Sequence, residues 1–230
     1  MNRADWPKHV DAVVFDLDGT LIDSAHDISF CVNETLTRLK RPAIDEEIIW
    51  SFVGRGVLPL IERSLDETAA RSDTPDDEAG PVKEQAIALF KDLYEAHCLD
   101  QTRLYPGIME VLDTYAGKAL AVVTNKAERF TFKILEGLGV RDRFKTVLGG
   151  DSMTEKKPHP GPVLRALDEA GVRPREAVFV GDSAIDVKAG KAADTWTCGV
   201  LYGLRPESEI REAGPDTVVF TATEILKRFV

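Results

Sequence analysis

Cysteine is scarce in this chain of 230 residues: there are three, Cys31, Cys98 and Cys198, far apart in the sequence. An odd, scattered set excludes a disulfide framework, and the spacing excludes a cysteine-ligated metal centre. Three small, half-hidden hydrophobes are the expected reading, and a reducing cytoplasm the simplest compartment. Long apolar runs are missing as well. The amino-terminal MNRADWPKHVDAVVFD holds one short apolar stretch that starts after charged residues and stops at an aspartate. Neither a secretory leader nor a membrane span is expected from it. Positive charge is in deficit, with 29 Lys+Arg against 39 Asp+Glu and a formal net charge of -10. A field of that sign does not hold a polyanion by neutralising its backbone, so nucleic acid and anionic membranes are not expected partners. Internal repeats and low-complexity tracts are also absent.

What is present is a hydrophobic fraction of 43%, enough for one domain with a real core, or one domain carrying an insertion. Short β-branched runs recur at 11–16, 119–124, 145–150, 176–182, 197–203 and 217–220, most of them followed by a helical pattern. Continuous apolar strands alternating with helices predict an α/β fold with a parallel sheet covered on both faces. In such sheets ligands gather beyond the carboxyl ends of the strands. From Asp16 to Ala119 the chain runs for far longer than one crossover of about thirty residues requires. The excess reads as helices only, from about Ser24 to His97, with SAHDISFCVNETLTRLK and VKEQAIALFKDLYEAH both helically spaced. RSDTPDDEAGP, at 71–81, is an acidic stretch with Pro and Gly and is expected to be a solvated loop between those helices. Tyr105, Pro106 and Gly107 punctuate the return to the sheet, and IMEVLDTYAGK reads as the helix completing the first crossover.

Four strand ends carry groups that could do chemistry. The first ends in Asp16, Leu17, Asp18, Gly19, and two aspartates so close repel unless a cation lies between them or one holds a proton. A hard divalent ion such as Mg²⁺ answers that need, and Gly19 lets backbone amides approach a ligand. A helix cap and a turn would need the same residues. The second strand ends in Thr124, Asn125 and Lys126, a hydroxyl and an amide that can reach phosphoryl oxygens, or that simply cap the next helix. Lys157 precedes Pro158 in KKPHP and is held on a stiff segment, where an ammonium can neutralise a transferring phosphoryl group. Lys156 reads as solvated and His159 as structural or exposed. The fourth strand ends in Gly181, Asp182, Ser183, with Asp186 one helical turn further on. Each fragment alone has a bland structural reading, but all of them fall at the same edge of one sheet, which fits phosphoryl transfer to a carboxylate beside a metal.

In order, DLDGTL (16–21), VVTNK (122–126), KKPHP (156–160) and GDSAID (181–186) resemble the four motifs of the haloacid dehalogenase-like hydrolase superfamily. The resemblance implies a Rossmann-like core from 1–22 and 98–230, a helical cap from 23–97, Mg²⁺ dependence and an aspartyl-phosphate intermediate. Carried over residue by residue, it makes Asp16 the nucleophile and a metal ligand. Asp18 becomes the acid and base, its backbone carbonyl also on the metal. Thr124 and the Asn125 backbone would hold phosphoryl oxygens, and Lys157 would offset charge. Asp182 would ligate Mg²⁺, and Asp186 would either bind it through water or orient Lys157. Family members that cleave carbon–halogen or carbon–phosphorus bonds lack an acid two residues after the nucleophile, so Asp18 favours phosphate esters.

Phe52-Val53-Gly54-Arg55-Gly56 looks like the glycine-flanked cap loop of phosphoglycolate phosphatases, and YPGI (105–108) looks like the same subgroup. Gly54 and Arg55 are therefore expected at the substrate, with Arg55 meeting a second anionic group. A surface arginine beside a helix start is the alternative. Ile28 stands where the phosphoglucomutase branch keeps a cap histidine, and His26 is out of register. The expected activity is hydrolysis of a small phosphorylated metabolite, 2-phosphoglycolate foremost. Pyrophosphate and sugar phosphates are the alternatives within the family, and a phospho-accepting regulatory module the alternative outside enzymes.

Overall fold

The computed structural model describes residues 9–69 and 79–229. The acidic stretch singled out at 71–81 falls, up to residue 78, outside the described residues.

Eight strands and ten α-helices alternate along those residues. The central strand is β1 (Ala12–Phe15), an uninterrupted AVVF buried at every position. It is followed by a two-residue strand, β2 (Ile22–Asp23), and then by four helices: α1 (Ala25–Arg38), α2 (Glu46–Trp50), α3 (Val57–Ala69) and α4 (Ala79–His97). The chain returns through β3 (Arg103–Leu104), which pairs antiparallel with β2. α5 (Ile108–Thr114), β4 (Ala119–Val123), α6 (Glu128–Gly137), β5 (Thr146–Leu148), α7 (Gly161–Ala170) and β6 (Ala177–Gly181) follow. α8 (Ala184–Ala192), β7 (Trp196–Val200), α9 (Glu207–Ala213), β8 (Thr217–Val219) and α10 (Ile225–Arg228) complete the chain. The expected α/β architecture with a Rossmann-like parallel sheet is observed.

Six strands form one parallel sheet in the order β5-β4-β1-β6-β7-β8. The chain steps outward from β1 on one side and then resumes on the other, so the order reverses at β1 and β6. Such a switch point opens a crevice at the carboxyl ends of the strands. Register fixes what lines it: Phe15 lies opposite Val122 and Val180, so residues 16, 123–124 and 181–182 emerge together.

Strand side chains alternate between the faces, and each face has its own cover. Val13 and Phe15 pack with Val111, Leu112, Phe130 and Ile134 of α5 and α6. Ala12 and Val14 pack with Val163, Ala166, Leu167 and Ala189 of α7 and α8. At roughly 25 cal/mol per Å² of apolar surface, this two-sided burial is what holds the strands straight-edged and in register.

The inserted helices follow their own periodicity. Ile28, Cys31, Val32, Thr35 and Leu36 of α1 are buried at helical spacing, as are Ala86, Phe90, Leu93 and Tyr94 of α4. The two helices pack on each other. Their apolar face is continuous with that of the sheet, since Leu17, Leu21 and Ile22 belong to the same buried cluster. The β2–β3 ribbon was not legible beforehand, because two-residue strands carry no period. All three cysteines are buried and free.

Candidate active site

Backbone geometry at the end of β1 delivers the first carboxylate. Asp16 N–H donates to Val180 O at 2.9 Å, which carries the sheet ladder one residue past the strand. The chain then turns tightly, with Gly19 N–H donating to Ile22 O at 2.9 Å. Gly19 has φ of +80°, and a Cβ there would lie 2.1 Å from Asp182 Oδ2. Only glycine allows both the left-handed backbone and the approach of the β6 end.

Asp16, Asp182 and Asp186 each offer an oxygen within 4.8 Å of the others, and all three are buried. Between them stands Lys157, its Nζ 2.7 Å from Asp16 Oδ1 and 2.7 Å from Asp186 Oδ1. The contact to Asp16 is an ion pair without an aligned hydrogen bond, so Asp16 Oδ1 is left as a buried polar atom with unused acceptor capacity; Thr20 Oγ1 is another. Asp186 is fully engaged: its second oxygen accepts from Ser183 N at 3.0 Å and Ser183 Oγ at 2.5 Å, a reciprocal cap at the start of α8. Asp182 Oδ2 accepts from Leu204 N at 2.8 Å.

The electrostatics of this cluster follow from burial. Desolvation pushes the Asp16 carboxyl up from 3.8 to about 6; Lys157 pulls against it, while Asp186 and Asp18 add to the rise. Asp182 is raised well above the usual carboxylate range by burial, with Asp186 and Asp16 contributing repulsion. Burial alone would lower Lys157, but Asp16 and Asp186 outweigh it and hold the ammonium above its ordinary value. Three buried carboxylates against one lysine leave the cluster short of positive charge. A hard cation bound by oxygen matches that deficit and the unused oxygen of Asp16. The donor set therefore fits Mg²⁺.

Asp18 sits apart from that cluster. Its carboxylate takes a hydrogen bond from Ser24 Oγ at 2.5 Å and pairs with Lys126, Nζ lying 2.9 Å from Oδ1 and 3.2 Å from Oδ2. Lys126 also donates to the hydroxyl of Tyr94, on α4, at 2.7 Å. Neither Lys126 nor Tyr94 was assigned a role from the sequence. A lysine after Thr-Asn reads the same whether it faces solvent or the site, although its place three residues beyond the end of β4 was a usable signal.

Thr124 accepts from Lys126 N–H at 3.2 Å through its hydroxyl. Asn125 is pinned to the segment that carries Lys157: its amide donates to Lys157 O at 2.9 Å, and its carbonyl accepts from Lys157 N–H at 3.0 Å. The same amide donates to Gly54 O at 3.0 Å, which ties the sheet to the loop after α2. Lys156 and His159 are exposed, as expected.

Above Asp16 and Asp18 a cavity opens between the sheet edge and the inserted helices, bounded by Thr124, Asn125 and Lys126 below and Gly54, Gly56 and Tyr94 above. Its remaining wall is apolar, with Ile28, Leu60, Phe90 and Phe130 among its residues. Arg55 is not brought to this wall. Gly54 and Gly56 have φ of +102° and +90°, and the turn they make sets backbone against the cavity and leaves Arg55 exposed. A different arginine crosses the gap: Arg205 donates from Nη1 to Ser51 O at 2.5 Å, and from Nη2 to Val53 O.

With that geometry in hand, comparison with known proteins places the chain. Residues 13–200 match the family model described as haloacid dehalogenase-like hydrolase. A phosphoglycolate phosphatase of Nitrosococcus oceani is 36% identical over 220 residues, covering 95% of this chain and 96% of its own. One of Chromobacterium violaceum is 38% identical over 221 residues, with coverage of 95% and 96%. The crystal structure of a chain described as a predicted phosphoglycolate phosphatase from Haemophilus somnus superposes with a TM-score of 0.88 at 30% identity, covering 97% of this chain and 98% of its own.

Proposed function

We propose, from the premise that this chain belongs to the haloacid dehalogenase-like hydrolases, that it is a Mg²⁺-dependent phosphatase whose substrate is 2-phosphoglycolate. The observation that carries the reading is Asp16: a buried carboxylate at the switch point of the sheet, with an oxygen whose hydrogen-bonding capacity is unused, lining the cavity under the inserted helices. The names of the relatives support the choice of ester.

In this reading Asp16 is the nucleophile. Its oxygen forms a bond to phosphorus as the bond from phosphorus to the alcohol oxygen breaks, and Asp18 passes a proton to that departing oxygen. Asp18 then takes a proton from water as the water oxygen attacks phosphorus. The bond to Asp16 breaks, and inorganic phosphate and the free carboxylate result. Lys157 offsets the charge on Asp16 and the phosphoryl group, and Asp186 fixes where Lys157 stands. Thr124 and the Asn125 backbone hold phosphoryl oxygens. Asp16, Asp182 and the Asp18 carbonyl would hold Mg²⁺, with Asp186 binding it through water or orienting Lys157, and the bound ion would neutralise charge on the phosphoryl oxygens. Residues 23–97 form the cap that excludes water, and residues 1–22 and 98–230 the core that carries the chemistry.

A panel of phosphate esters at fixed Mg²⁺ tests the reading. Phosphate release is expected to be fastest from 2-phosphoglycolate. A tenfold preference for pyrophosphate or a sugar phosphate, about 1.4 kcal/mol in the transition state, would move the substrate elsewhere. A phosphoenzyme that persists for many minutes with Mg²⁺ present would instead favour a phospho-accepting regulatory module.

A further inference from the structure

A small substrate with a carboxylate one carbon from its ester oxygen carries two anionic groups into the cavity, and the second one needs a partner. Burying an unpaired carboxylate against apolar side chains is costly, and the upper wall here is largely apolar. The cations near the cavity can be taken in turn. Lys157 bridges Asp16 and Asp186. Arg205 is committed to the carbonyls of Ser51 and Val53. Arg55 is exposed. Among the described residues that line the cavity, Lys126 is the one cation.

Its surroundings suit an anion. Lys126 Nζ already holds the Asp18 carboxylate at 2.9 Å, so it stands beside the group assigned to the leaving oxygen. A carboxylate attached one carbon beyond that oxygen arrives next to Nζ. Tyr94 completes the arrangement: its hydroxyl accepts from Nζ at 2.7 Å, and its own proton has no acceptor among the described hydrogen bonds. Burial first, and Asp18 second, push that phenol well above its ordinary value, so the proton stays on oxygen. The hydroxyl has a proton to donate to a carboxylate, and the ammonium, whose hydrogens go to Asp18 and Tyr94, sets a fixed positive charge beside it at the cavity wall.

We propose that Lys126 and Tyr94 together form the seat for the carboxylate of the leaving group, and so set the preference for acidic over neutral esters. Because Tyr94 lies on α4 and Lys126 at the end of β4, the seat is complete only with the helices against the sheet. The inference rests on the phosphatase reading above.

Two esters that differ only at this group provide the test: 2-phosphoglycolate and ethyl phosphate. The quantity read is the ratio of their kcat/KM values, which does not depend on the fraction of a preparation that is folded. The native enzyme is expected to favour 2-phosphoglycolate by at least about a hundredfold, inside the roughly 10⁴- to 10⁵-fold discrimination available when a site built for a polar group meets an analogue lacking it. Lys126→Met lowers both rates, since Asp18 loses its partner, but the ratio falls by about a hundredfold. Tyr94→Phe lowers the ratio by about five- to tenfold, and Lys126→Arg restores part of it. An unchanged ratio in both Lys126→Met and Tyr94→Phe overturns the seat and leaves these residues as supports for Asp18. A native enzyme that cleaves ethyl phosphate as well as 2-phosphoglycolate overturns it too, while leaving the phosphatase reading intact. No phosphate release from either ester, or from p-nitrophenyl phosphate, defeats the phosphatase reading itself and the seat with it.

Discussion

Asp27, in the first turn of α1, and Thr102, just before β3, are joined by two hydrogen bonds across 75 residues of chain, from Thr102 N–H at 2.8 Å and from its hydroxyl at 2.7 Å. Gln101 N–H donates to the same carboxylate at 3.0 Å. The residue is 2% exposed and stands where the chain leaves the sheet and where it returns, beside the β2–β3 ribbon.

Removing that acceptor would leave three donors without it, two of them on buried Thr102 and one on exposed Gln101. Asp27→Ala is expected to destabilise the fold by about 3 kcal/mol, because the two buried Thr102 donors lose their partner with no water to replace it. Thr102→Val removes a single donor and should cost about 1 kcal/mol. Urea midpoints of the two variants check this, and an Asp27→Ala midpoint within experimental scatter of the native one would show the junction to be solvated.

Magnesium affinity should follow pH through the Asp16 carboxyl. With its value near 6 in the fold and 3.8 when unburied, Asp16 keeps its proton longer folded than unfolded. Its contribution to folding stability therefore falls as pH rises from about 3.8 to 6, and Mg²⁺, which binds the deprotonated form, restores it. Apparent Mg²⁺ affinity is expected to weaken about tenfold from pH 7 to pH 5, and the gain in Tm on adding Mg²⁺ to shrink over the same interval. Calorimetry with Mg²⁺ and with EDTA at several pH values measures both; a pH-independent gain would remove Asp16 from the ligands.

Gly19 gives a steric test of the same centre. Alanine there needs a left-handed φ of +80° and a Cβ 2.1 Å from Asp182 Oδ2. Gly19→Ala should cost at least about 1 kcal/mol of stability from the backbone alone. Displacing Asp182 should also weaken Mg²⁺ by tenfold or more. Titration calorimetry with Mg²⁺ on the folded variant reads the second effect separately from the first.

How much of this was open to a reader of the sequence differs from residue to residue. AVVF and AVFVG are continuous apolar runs, so β1 and β6 and the emergence of Asp16 and Asp182 at their ends were legible from local pattern alone. Ile28 to Leu36 showed their helix for the same reason. Arg55 illustrates the limit: two glycines announce a turn, but not which way the residue between them faces, since that depends on what packs against the loop. The Lys126–Tyr94 and Asp27–Thr102 contacts join residues 32 and 75 positions apart. Either acid or lysine, seen in its own segment, looks like an ordinary solvated charge. Nothing in GLRP marked Arg205 as the residue that would reach across to the inserted helices.

Arg205 supplies the last prediction. The carbonyls of Ser51, Val53 and Gly54 follow the short helix α2, where backbone acceptors have no partner within the helix. From the sheet side Arg205 serves the first two and Asn125 the third, while Arg63 of α3 also donates to Ser51 O at 3.4 Å. The Arg205 and Asn125 bonds join the sheet side to the loop after α2, so they exist only while that loop lies against the sheet. If substrate enters through an uncovered state, weakening the clasp shifts the equilibrium away from the covered form and lowers apparent affinity more than the chemical step. A charged donor is worth about 1.5 kcal/mol at a half-buried position, which corresponds to roughly a tenfold rise in KM for Arg205→Ala, with kcat changed about twofold or less. Folding stability should fall by about 1 kcal/mol or less, since Ser51 O keeps Arg63 as a donor and only the Val53 carbonyl loses its partner. Steady-state kinetics on 2-phosphoglycolate decide the matter: a fall in kcat at constant KM would mean that Arg205 acts on the chemistry, through the charge it sets near Asp182, rather than on closure.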